Sequence, residues 1–146
     1  MVEFKSKVFI QCPPEEVFNF ISDPANDLKY QKGLESSQWA SDSPVGVGSI
    51  KKTTNTVMGR KIVSELELTA WQPPVQQTFK SIGGPVPLEM TAKVEPQDGG
   101  SLVIISGHAE AGGFFKLAEG LVGKQFGKQL DESTQTLKEL LESGTE

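Results

Sequence analysis

A single cysteine, Cys12, and a single histidine, His108, deny this chain most metal and redox chemistry. One cysteine cannot close an internal disulfide or build a cysteine-based zinc site, and one histidine leaves only a carboxylate-rich metal site. No cluster of that kind stands out in the sequence. No apolar run approaches the ~18 residues of a membrane-spanning helix. Basic residues are short as well: 14 Lys and Arg against 19 Asp and Glu give a net charge of -5, which repels a phosphate backbone. Lys51, Lys52, Arg60 and Lys61 form the one basic cluster, and Glu65 and Glu67 follow it closely. No Ser/His/Asp spacing and no phosphate loop is present, since Gly99-Gly100 and Gly112-Gly113 are isolated pairs. The expectations are no metal, no cofactor, no nucleic acid and no membrane span. Residues 1–5 alternate at once, without a basic segment leading into an apolar core, so the expected compartment is the cytoplasm. Cys12 stands beside Pro13-Pro14 at a strand end and reads as a small buried hydrophobe.

What is present fits one domain over residues 1–146, a length that buries roughly 70% of the surface of the unfolded chain. A monomer or homodimer is expected. The strongest periodicity lies at residues 113–144. Phe114, Leu117, Leu121, Phe126, Leu130, Leu137 and Leu141 recur at helical spacing between charged residues, which predicts one long amphipathic helix of roughly 45 Å. Gly120, Gly123 and Gly127 fall inside it, each costing ~1 kcal/mol against alanine. Three readings stand: close backbone packing, space for a ligand beneath the helix, or a kink.

Upstream, residues 3–11 alternate as a first strand. Pro13-Pro14 end it, and Glu15-Glu16 with Val17, Phe18, Phe20 and Ile21 predict a short helix. Ser22-Asp23-Pro24 breaks that helix, and a second runs from Pro24 toward Gly33. From Glu35 onward strands alternate with turns: one around Trp39, one over residues 50–57, then 62–71, 75–82, 88–95 and 101–111. Met58-Gly59-Arg60-Lys61 and Asp98-Gly99-Gly100 read as hairpin turns. The segment 62–71 shows the clearest half-buried alternation, with Ser64, Leu66, Leu68 and Ala70 on one face. The predicted architecture is α+β: six to seven antiparallel strands curled around the C-terminal helix, with two short helices after the first strand.

Seven pieces occur in order: Pro14-Glu15-Glu16-Val17-Phe18 with Ser22-Asp23-Pro24, Val45-Gly46-Val47-Gly48, Gly59-Arg60-Lys61-Ile62-Val63, Ala70-Trp71-Gln72-Pro73-Pro74, Asp98-Gly99-Gly100-Ser101, and Leu137-Lys138-Glu139-Leu140-Leu141-Glu142. Together they resemble the polyketide cyclase/dehydrase branch of the START-like (SRPBCC) superfamily, which has the helix-grip fold. Tyr30 stands where the family has a tryptophan, and Ser101 where a threonine is usual.

The resemblance implies a cavity between sheet and helix. Tyr30, Leu66, Leu68, Phe79, Met90, Ile105, Phe114, Leu117 and Leu121 are the residues expected along it, each also a natural core residue. The expected function is non-catalytic binding of a small apolar or amphipathic molecule, lipid or polyketide-like, as a carrier or sensor. Two alternatives stay open: a cyclase- or dehydratase-like enzyme and a protein-interaction module. For catalysis the candidates are His108, the one imidazole in the chain, with Glu110 two residues on, and Arg60 as an anchor for an acidic ligand. Each also reads as an ordinary surface residue.

Overall fold

Phe4, Ser6, Val8 and Ile10 take the inner face of the first strand, β1 (Val2–Ile10), in the alternation that the sequence predicts. The computed structural model describes residues 2–40, 44–57, 59–110 and 119–143. Pro14 opens the first helix, α1 (Pro14–Ile21), at a position where its missing N–H has no partner to lose. Val17, Phe18, Phe20 and Ile21 bury its inner side. The Asp23 carboxylate then accepts the Ala25 N–H at 3.0 Å and caps α2 (Pro24–Tyr30). This helix stops at Tyr30 rather than at Gly33, because the backbone of Gln31 is already extended.

Six strands follow: β2 (Leu34–Trp39), β3 (Ile50–Val57), β4 (Arg60–Gln72), β5 (Gln76–Gly83), β6 (Leu88–Gln97) and β7 (Gly100–Ala109). They form one antiparallel sheet in the order β1-β7-β6-β5-β4-β3-β2. β1 and β2 therefore lie at opposite edges, and α1 and α2 carry the chain from one edge to the other. Gly59, at φ 78°, lets Val57 pair directly with Arg60. Arg60 and Lys61 consequently belong to β4 and not to the turn in which the sequence places them. The inner face of β4 carries Ile62, Ser64, Leu66 and Leu68, all buried, as its alternation predicts.

The helix α3 (Glu119–Ser143) has 25 residues and extends about 37 Å. The helix expected at 113–144 begins earlier; residues 113–118, and with them Phe114 and Leu117, lie outside the described residues. α3 is tied chiefly to β1. Ser6 Oγ donates to Asp131 Oδ1 at 2.9 Å and shares a 3.0 Å hydrogen bond with Thr134, and Lys138 Nζ donates to the Phe9 carbonyl at 2.6 Å. The rings of Phe4 and Phe126 meet at 4.9 Å. Leu137 and Leu141 join α1, Ile10, Val94 and Val103 in the larger of two apolar clusters among the described residues. The smaller gathers Leu66, Leu68 and Phe79 from β4 and β5, with Trp39 and Leu88 against it. The buried Ser101 hydroxyl ties β7 to the Cys12 carbonyl at 2.7 Å.

Two glycines give opposite expectations. A Cβ built on Gly127 in α3 meets no atom of the described residues within 4 Å, so close packing against them does not explain this glycine. Gly127→Ala should raise stability by up to ~1 kcal/mol, read by thermal and urea unfolding. A Cβ on Gly107 in β7 would collide with the Glu89 carbonyl and reach 2.8 Å from Phe4 Cζ. Gly107→Ala should destabilise by at least ~1–3 kcal/mol in the same measurements.

Candidate functional site

A partly enclosed cavity of about 160 Å³ is lined by residues of both apolar clusters, which Trp71 joins. Ile21, Tyr30, Ala92 and Ile105 of the larger cluster line it together with Met90. Leu66, Phe79 and Leu88 of the smaller line it too, with Phe126 and Leu130 from α3. At ~24 cal/mol per Å³, leaving that volume empty would cost about 4 kcal/mol, a large part of a typical total of ~5–15. Water or a ligand in the space offsets that cost.

Five of the nine residues expected along the cavity are on its wall: Tyr30, Leu66, Phe79, Met90 and Ile105. Leu68 shares their face of the sheet but lies off the wall, fully buried beside Phe79 and Trp71. Leu121 belongs to α3, but its side chain, like Phe114 and Leu117, lies outside the described residues. His108 alternates with Ile105 along β7 and so takes the outer face, between Glu3 of β1 and Glu89 of β6. Glu110 is exposed just past the end of that strand, and Arg60 is exposed at the start of β4. The three candidate proton-transfer and anchor residues are not brought together.

The structure brings together a different set. Lys51, on the inner face of β3, is 6% exposed and lines the cavity. Its ammonium lies 3.2 Å from Asp27 Oδ2 and 4.3 Å from the centre of the Phe79 ring. Asp27, on the inner side of α2 and 1% exposed, accepts a second hydrogen bond on Oδ2 from the Ser37 hydroxyl at 2.7 Å. Its Oδ1 is buried with no hydrogen-bond partner among the described residues. Tyr30 stands on the cavity side of α2 next to Asp27, and Gln31 donates to its hydroxyl at 3.3 Å. Gln77, Thr53, Asn55 and Ser64 also line the cavity.

Burial pushes the Asp27 carboxyl above the usual aspartate range, and the Asp23 charge adds slightly to it; Lys51 and Ser37 act in the opposite sense. Burial, and next the Asp27 carboxylate, raise the Tyr30 hydroxyl well beyond the ordinary phenol range, so it serves as a neutral hydrogen-bonding group. By sequence Lys51 belongs to a surface basic cluster with Lys52, Arg60 and Lys61, and only those three are exposed. The missed signal is one of register. Lys51 pairs with Leu66, an inward residue of β4, and that pairing is invisible until the hairpin is aligned.

The raised carboxyl sets a sign for pH dependence. The folded protein holds a proton on Asp27 that the unfolded chain has already released, so the stability this contributes is complete below 3.8 and is lost as pH rises through the folded value. Above that value Lys51 supplies the countercharge. Lys51→Met should therefore destabilise by about 3–5 kcal/mol at pH 7, by stranding a buried carboxylate, and by much less below pH 3.8, where Asp27 carries a proton. Urea unfolding at both pH values checks this; an equal penalty at both would contradict it.

A family model described as polyketide cyclase/dehydrase and lipid transport matches residues 1–142. Solved structures are similar over nearly the whole chain. The protein TTHA0849 from Thermus thermophilus is 22% identical, with a TM-score of 0.85 and 99% of each chain covered. A START superfamily protein from Mycobacterium smegmatis is 14% identical, with a TM-score of 0.74, covering 99% of this chain and 97% of that one. Major latex-like protein 151 from Panax ginseng is 12% identical, with a TM-score of 0.62, covering 88% and 95%. None of the curated proteins compared matches the chain. The seven-stranded sheet, the two short helices after β1 and the long C-terminal helix are the helix-grip architecture. The chain belongs to the polyketide cyclase/dehydrase and lipid transport family.

Proposed function

We propose that this protein is a non-catalytic carrier or sensor that holds a small amphipathic molecule in the space between β3–β7 and α3. The observation that supports this best is the cavity itself, lined by apolar side chains from two clusters and by polar side chains that include the buried Lys51. A volume of about 160 Å³ suits a ring system or a short acyl chain more than a long lipid. The lipid-transport part of the family description agrees with such a role. The proton-transfer candidates read from the sequence, His108, Glu110 and Arg60, are not among the residues that line the cavity; Lys51 and Tyr30 are, and a cyclase or dehydratase using this cavity would have to work through those and Asp27.

Native mass spectrometry of freshly purified protein, with a thermal-shift screen of short lipids and aromatic polyketides, tests the proposal. A co-purifying small molecule or a stabilising class of compound is expected. Ala92→Phe, which projects a ring into the cavity from β6, should keep the fold and weaken that binding at least ~tenfold. A homogeneous ligand-free species with no hit in the screen would remove the proposal.

A further inference from the structure

Resting on the ligand-binding reading above, we infer that the ligand carries a carboxylate head that docks on Lys51 in the cavity wall. An ammonium has three N–H groups, and Lys51 directs one at Asp27 Oδ2 while the Phe79 ring covers another side. No further protein acceptor for it is present among the described residues, although the side chain is more than nine-tenths buried and lines the cavity. A buried cation with a donor left toward an apolar-walled space is a site for an acceptor.

The chemistry of the surroundings narrows that acceptor. One ammonium offers a single point charge, which suits a carboxylate better than a phosphate, whose two charges call for several donors. The Tyr30 hydroxyl, kept neutral by burial and by its hydrogen bond with Asp27, stands on the same wall. Asp27 Oδ1 has no hydrogen-bond partner among the described residues, so the carboxylate behind Lys51 is itself under-satisfied and able to take up a proton when a second carboxylate shares the ammonium. The apolar body of the ligand would then lie along Phe79, Met90, Leu66 and Ile105.

Octanoate and octan-1-ol are matched probes, alike in chain and different in head. Their dissociation constants are measured by isothermal titration calorimetry on the wild type, on Lys51→Met, and on Lys51→Met combined with Asp27→Asn. The double variant leaves no stranded charge and serves if the single one unfolds. Octanoate should weaken at least ~tenfold in the variants, with octan-1-ol held within about threefold. Equal losses for both probes, or no loss for octanoate, would overturn the head-group assignment while leaving the cavity reading in place. Wild-type protein that binds neither probe would overturn the cavity reading, and this inference with it.

Discussion

One helix cannot cover a seven-stranded sheet, and the arrangement of this molecule follows from that mismatch. Seven strands at ~4.8 Å spacing span about 29 Å, whereas a helix with its side chains is ~10–12 Å across. The sheet curls to narrow the gap, and α3 settles along β1 at one edge. α1 fills space against β6 and β7, and α2 closes over β2. The inner faces of the middle strands are left with fewer partners than they need. Leu66, Leu68 and Phe79 make a small cluster of their own there, and residues of both clusters line the cavity.

The polar pair follows from the same shortage. α2 reaches the far edge of the sheet with few apolar side chains on its inner side, and Asp27 attaches it instead, through Ser37 of β2 and Lys51 of β3. A buried ion pair contributes little net stability compared with apolar side chains of the same size, because both ions lose their water. What it confers is direction: the ammonium is held against Phe79 and beside the cavity, which Tyr30 and Gln77 also line. An apolar substitute would hold α2 equally well and leave the cavity without that charged group.

The architecture was legible in the sequence because its signals are local. The alternation of Ser64, Leu66 and Leu68 in β4, the Pro14-Glu15-Glu16 opening of α1 and the regularly spaced leucines of α3 each depend only on neighbours in the chain. Hence the order of elements and five of the cavity residues could be read directly, and small errors arose at ends such as Gly33 and Arg60, where the backbone angles of one residue decide. Leu68 shows the limit of that approach: it has the same face and the same chemistry as Leu66, and only three-dimensional packing separates wall from core. Asp27 and Lys51 were harder still. They lie 24 residues apart on a helix and a strand, and nothing in either segment marks them as partners. Conversely the register of β7 puts His108 on the outer face, and because that strand carries apolar residues on both sides no periodic cue marks it.

Ligand binding, head-group docking and the buried pair all depend on a space that the protein does not fill with its own side chains. A high-resolution crystal structure collected with and without xenon pressure measures that space directly. Non-protein density should reach from Phe79 and Met90 to the Lys51 ammonium, with xenon against the apolar side chains and ordered water or ligand at the ammonium. Side chains of β4, β6 and α3 meeting in van der Waals contact across that gap, with no density between them and no xenon taken up, would contradict it.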